Sequence, residues 1–176
     1  MAISASTKKL IILFALLSAV VLVLLIVQSE QVIAPSLGKV EGYRKFEYQR
    51  GSVFVAGHRI EVEIAQTDEQ RTQGLLGHKP LSSTAGMLFV FDEARRYPFH
   101  MRGMKFPIDI IWIDNNLVVD ISARLQPDSV DSAELYIPIK PVDMALELKA
   151  GTAKKLGIKI GSDIKGNGPV KVKARE

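Results

Sequence analysis

The chain contains no cysteine. Thiol nucleophiles, thiolate metal sites, disulfide bridges and lipidation at cysteine are therefore excluded. An exported domain of this composition must be held by its core alone. Net charge is small as well. The formal total is +4, and Lys8 and Lys9 are the only charged residues before Glu30, which leaves +2 for the remainder. Such a balance gives no footprint for nucleic acid. Familiar catalytic signatures are also missing. No Ser sits in a nucleophile elbow, no His-Glu zinc spacing occurs, and no Gly-rich phosphate loop is found. Repeats and low-complexity segments are absent.

What is present begins with a long apolar run. Residues 10–27, "LIILFALLSAVVLVLLIV", hold Ser18 as their only polar residue. As a helix this run is about 27 Å long, close to a bilayer core of about 30 Å. Lys8 and Lys9 precede it, and charge of that sign stays cytoplasmic. The expectation is a cytoplasmic tail at 1–9, a transmembrane anchor at 10–27, and an outward-facing remainder. A cleaved signal peptide is the competing reading. The run is longer than a usual h-region, and Val32-Ile33-Ala34 is followed by Pro35, which suits cleavage poorly. These features favour an uncleaved anchor. The lipid bilayer is then one partner, through residues 10–27, and the location is a bacterial inner membrane with the domain periplasmic or extracellular.

Residues 28–45 include Pro35, Ser36, Gly38 and Gly42 and read as a linker. A β-rich domain is expected over 46–166. Val53, Phe54 and Val55 lead into a turn at Gly57-His58, after which Ile60, Val62 and Ile64 alternate with Glu61 and Glu63. That pattern is a β-hairpin with one wet face. Thr67 and Gln70 form a capping box for a short helix ending near Gly77. "AGMLFVF", residues 85–91, reads as a buried strand. Asp114-Asn115-Asn116 turns a second hairpin over 108–124. In "VDMALELKAG", Val142, Met144, Leu146 and Leu148 share one face, and Asp143, Glu147 and Lys149 the other. "TAKKLG" makes one helical turn, and a basic tail covers 167–176 with Lys171, Lys173 and Arg175. The fold class is mainly β, a compact β-sandwich or small barrel with two short helices, preceded by one N-terminal transmembrane helix.

"EIAQTDEQRTQGLL", "GMLFVF", "FHMRGMKFPIDIIWID" and "ALELKAG" occur in that order and spacing. This resembles the domain-of-unknown-function 192 family over roughly residues 50–166. The resemblance implies a compact β-sandwich, often preceded by a signal or anchor segment, and implies no established activity. The family's central pattern is Phe-Trp-Met-Lys-Asn-Thr or similar. Here it stands as Phe99-His100-Met101-Arg102-Gly103-Met104. His100 replaces the Trp and Gly103 the Asn.

Three kinds of chemistry compete for these residues. His100, Met101 and Met104 supply the imidazole and thioether ligands that Cu(I) prefers. On an extended strand, however, His100 and Met101 point to opposite faces, and Met is a common core filler. No metal or other cofactor is expected. Glu147 with Asp109 or Asp114 could form the acid and base of a hydrolase acting on envelope carbohydrate. Carboxylates on strand faces are more often solvated, so no catalytic residue is assigned. Asp109 shares a face with Ile111 and Ile113, where an unpaired charge costs several kcal/mol. Arg71 and Arg102 are its expected partners, as a structural ion pair or as the floor of a polar pocket. His58 and His78 fall in turn-like contexts and are expected at the surface. The function expected is a non-enzymatic binding or assembly module of the envelope, taking a protein or small ligand. Its candidate ligand-binding residues are Arg71, His100, Arg102, Asp109 and Glu147.

Overall fold

The computed structural model describes residues 46–129 and 134–167. The expected tail at 1–9, anchor at 10–27, linker at 28–45 and the basic end beyond Asn167 lie outside the described residues. Among the described residues no helix is long and apolar enough to cross a membrane. Seven strands appear in the described part: β1 Gln49–Val55, β2 His58–Ala65, β3 Ala85–Arg95, β4 Ile108–Asp114, β5 Leu117–Leu125, β6 Val142–Lys149 and β7 Ile164–Asn167. Two short helices accompany them, α1 Asp68–Gln73 and α2 Thr152–Lys155.

All seven strands belong to one sheet, in the order β5-β4-β6-β3-β2-β1-β7. The β2–β3 pair is parallel and the other pairings are antiparallel. Of the sandwich and the small barrel expected, the structure stands nearer the barrel: a single sheet curled into a half-barrel. At one corner the outer strands meet. Val118 donates to the Ser162 carbonyl at 3.0 Å, Gly161 to the Val118 carbonyl at 2.8 Å, and Ile164 to the Asn116 carbonyl at 2.9 Å. Strand twist makes this closure natural, because each strand rotates against its neighbour by roughly 20 to 25°.

Both hairpins expected from the sequence form. The first turns at Ala56-Gly57, one residue earlier than Gly57-His58, with φ of 50° and 81°. The second turns at Asn115-Asn116, with φ of 46° and 65°. Two consecutive positive φ values match the right-handed twist of the flanking strands, and Gly and Asn reach them most easily. Ala56 adopts its value at a cost of about 1 kcal/mol. Helix α1 starts at the expected capping box, with Gln70 N–H donating to Thr67 Oγ1 at 3.3 Å and Thr67 N–H to Gln70 Oε1 at 3.3 Å. It ends at Gly74 rather than near Gly77.

The curl gives the sheet an inner and an outer face, and both are buried over the central strands. Val53, Ile60, Leu88, Ile111, Leu146 and Ile164, drawn from six strands, belong to one buried cluster. Met87, Phe89, Ile108, Ile110, Trp112 and Ala145 belong to the second, on the other face of β3, β4 and β6. Each fully buried Ile or Leu contributes about 1.5 to 3 kcal/mol by leaving water. Strand β6 lies between β4 and β3, and seven of its eight residues are buried. The wet face expected for Asp143 and Glu147 does not exist, because the second cluster covers it. Val142 also departs from the expected stripe and joins the outer cluster. His78 is half-buried rather than exposed, its Nε2 lying 3.0 Å from Glu63 Oε2.

Gly86 on β3 faces β6 at close range. A Cβ built there would lie 2.7 Å from the Glu147 carbonyl oxygen and 3.0 Å from a Leu148 methyl. The nearest obstacle is backbone in a central strand, which has no room to retreat. Gly86→Ala is expected to cost about 2 to 3 kcal/mol, read as a lowered urea midpoint. A midpoint unchanged within error would show that the two strands can separate freely.

Candidate functional site

Glu147 stands on β6 directly between Met87 of β3 and Ile110 of β4. Both neighbours are fully buried. Glu147 itself is 7% exposed, and its Oε2 has no hydrogen-bond partner. Burial disfavours the carboxylate and pushes its pKa from 4.5 to about 8. At neutral pH the group is therefore mostly the uncharged acid. That form can both donate and accept a hydrogen bond.

The carboxyl lines a cavity of about 650 Å³, within the range of small-ligand pockets. Four aromatic residues wall it: Phe89 and Phe91 from β3, and Tyr97 and Phe99 from the segment after it. Phe91 and Tyr97 stack with centroids 3.7 Å apart. Phe99 meets Phe89 edge-on at 4.9 Å and Trp112 at 5.0 Å. The wall is thus a linked set of rings that fix one another's orientation. A bridge from Phe99 to Tyr136, with N···O distances of 2.9 and 2.8 Å, ties the segment down.

Helix α1 supplies the opposite side. Its exit at Gly74 has φ 49° and ψ −132°, and a Cβ there would lie 3.2 Å from the Phe89 ring. Glycine alone lets the chain turn this closely over the wall. The Gly74 carbonyl also accepts from the Tyr48 hydroxyl at 3.3 Å.

The five candidate residues divide. Arg71, His100 and Glu147 line the same cavity. Arg71 is a strut: its Nη1 donates to the carbonyls of Gln66 at 2.7 Å and Val90 at 2.8 Å, and its Nη2 to Asp68 Oδ1 at 2.6 Å. The guanidinium carbon lies 5.9 Å from the Phe91 ring centre. It thereby joins α1 to β3 and shapes the mouth. His100 is exposed at the rim.

Arg102 and Asp109 are elsewhere. Arg102 forms a backbone bridge with Asp128 and is not part of the cavity lining. Asp109 is fully buried on the inner face of β4, opposite to Glu147. Neither Arg71 nor Arg102 neutralises it. Instead Oδ1 accepts from the N–H of Arg124 at 2.8 Å and of Gly151 at 2.9 Å, and Oδ2 from Ala153 N–H at 2.9 Å. Asp109 is a long-range cap for α2 and a clamp on a bulge in β5, where Arg124 adopts a φ of 56°. Three backbone donors satisfy a buried carboxylate without a cation.

The acid and base pair envisaged from the sequence is therefore not assembled. Asp109 faces away from Glu147, and Asp114 lies at the hairpin end, outside the cavity lining. The copper set is also divided. His100 and Met104 line the cavity, whereas Met101 is buried in the outer cluster and does not. The aromatic wall went unnoticed in the sequence, although a signal was there. Phe89 and Phe91 are two residues apart, as are Tyr97 and Phe99, and that spacing places each pair on one side of an extended chain.

A family model described as Uncharacterized ACR matches residues 51–166. Among solved structures, a proposed transcription regulator from Sinorhizobium meliloti is 30% identical, with a TM-score of 0.64, covering 69% of this chain and 97% of that one. A protein of unknown function from Novosphingobium aromaticivorans is 27% identical, with a TM-score of 0.61, covering 76% of this chain and 94% of that one. No curated protein matches the chain.

Proposed function

Since the chain belongs to the uncharacterised domain-of-unknown-function 192 family, we propose that it is a non-enzymatic binding module that takes one small ligand into the cavity over Glu147. The observation that carries this reading is the buried carboxyl of Glu147, its Oε2 without a partner, in the lining of an aromatic-walled cavity. A buried polar atom left unsatisfied costs about 1 to 3 kcal/mol. A ligand that completes its hydrogen bonding recovers that energy on binding. The rings offer an apolar platform to the rest of the ligand. The site is built mainly on a sheet and a short capped helix, which hold such a constellation in place without it.

The module is further proposed to be an inner-membrane protein with a cytoplasmic N-terminus. The apolar run at 10–27 behind Lys8 and Lys9 supports the anchor, and residues 28–45 supply the linker to an outward-facing domain.

The test is isolation of the intact protein from native membranes, followed by mass spectrometry of retained small molecules. Wild type is expected in the membrane fraction with a bound compound. Met104→Trp, which fills the cavity from the side of half-buried Met104, is expected in the same fraction without it. Equal retention by the two proteins would remove the cavity reading.

A further inference from the structure

The cavity mouth carries Asp68, Asp92 and Glu93 against Arg71 and Arg95. Both guanidiniums are already committed, Arg71 to Asp68, to Asp92 at 4.0 Å and to two carbonyls, and Arg95 to Glu93. The Asp68 and Asp92 side chains are 91% and 93% exposed. The excess charge at the mouth is negative. Below it stand the rings of Phe91, Tyr97 and Phe99, and at the base Glu147, whose Oε2 is unpartnered. Acidic mouth, aromatic wall and buried acceptor follow one another along the way in.

From this sequence of surfaces we infer that the ligand is a protonated amine, a small alkyl- or arylammonium whose N–H groups meet the Glu147 carboxyl and whose body lies against the aromatic wall. The inference rests on the binding function proposed above and names its ligand class. A cation over the face of a ring gains about 0.5 to 2 kcal/mol from the aromatic quadrupole, an arrangement the wall already shows where the Arg71 guanidinium lies over Phe91. At the base it meets an acceptor that the empty fold leaves unpaired. An anion gains neither term and meets a mouth with one carboxylate in excess of its arginines. A neutral alcohol satisfies Glu147 but gains nothing from the mouth or the ring faces.

Binding of a cation exchanges one positive charge for another. The Glu147 proton leaves as the ammonium arrives, so the buried site does not hold a net positive charge. Other titratable and charged groups stand on the elements around Glu147. From the chain before β1 comes Tyr48, from β2 Glu63, and from the segment after α1 the His78 paired with Glu63. From α1 come Asp68 and Arg71, and from β3 Asp92, Glu93 and Arg95. Strand β4 presents Ile110, with Asp109 on the far face. His100 at the rim is of the other side-chain type that changes charge near neutrality, so it is tested alongside.

The experiment is calorimetric titration of the full chain, in a non-ionic detergent, with phenethylammonium from pH 6 to pH 9. The neutral 2-phenylethanol serves as its isostere. The phenethylammonium association constant is expected to rise about tenfold per pH unit and to level off near pH 8. 2-Phenylethanol is expected to bind more weakly and without that slope. His100→Ala is expected to keep the slope. Glu147→Gln, checked for folding by its melting temperature, is expected to lose it and to bind about tenfold more weakly at pH 8.5. If the alcohol binds as tightly as the amine and no slope appears, the amine inference fails while the cavity remains a ligand site. If neither compound binds wild type, both fall.

Discussion

Glu147→Gln is expected to raise stability at pH 8 and to leave it nearly unchanged at pH 4.5. The cause is the shift of the Glu147 carboxyl from 4.5 to about 8 by burial. A carboxyl raised in the folded state holds its proton there after the unfolded chain has released it. The folded protein therefore binds more protons between pH 4.5 and 8, and stability falls as pH rises through that window. The contribution is fully present below pH 4.5 and is lost as pH passes 8. The slope from this one group is about 1.4 kcal/mol per pH unit. Over the window it amounts to several kcal/mol, a large part of the roughly 5 to 15 kcal/mol that holds a domain together. A glutamine keeps the shape and the hydrogen-bonding head but has no proton to lose. Urea unfolding of both proteins at a series of pH values isolates the effect, since every other titrating group is common to them. Parallel curves for wild type and variant would mean that the carboxyl is hydrated in solution.

The second large effect belongs to Asp109, and it has a different origin. Asp109→Ala strips the acceptor from three backbone N–H groups at once, those of Arg124, Gly151 and Ala153. An unsatisfied buried donor costs about 1 to 3 kcal/mol, so the total is expected to reach about 4 kcal/mol or more. The loss falls on two elements together, because the same carboxylate caps α2 and clamps the β5 bulge. Arg102→Ala, by contrast, is expected to change the urea midpoint little. The pair of variants separates a backbone-held carboxylate from the ion pair that the sequence had suggested. A cost below about 1 kcal/mol for Asp109→Ala would show that water takes over the three donors.

Local features were legible in the sequence because they depend on neighbours in the chain. Asn115-Asn116 and the glycine of the first turn marked both hairpins, and Thr67 with Gln70 marked the start of α1. Features that depend on where a strand sits in the sheet were not. "VDMALELK" alternates in the same way whether its polar face meets water or a second layer of side chains. Only the placement of β6 between β4 and β3 decides the matter, and it turns Glu147 from a surface carboxylate into a buried acid. Asp109 was misread for a related reason. Its partners are main-chain N–H groups, which every residue but proline carries and which leave no mark in a pattern of side-chain types. The parallel β2–β3 pair was likewise hidden, since its connection holds only one six-residue helix.

The corner where the outer strands meet also sets an order of events during biosynthesis. Strand β1 is the first described strand to leave the ribosome, yet one of its two neighbours is β7, the last. The inner cluster needs Ile158 and Ile164 to be complete. A nascent chain ending near Lys159 would expose one edge of β1 and part of the inner cluster, a state open to strand addition by other chains. The fold therefore becomes self-sufficient only when the whole domain has been made.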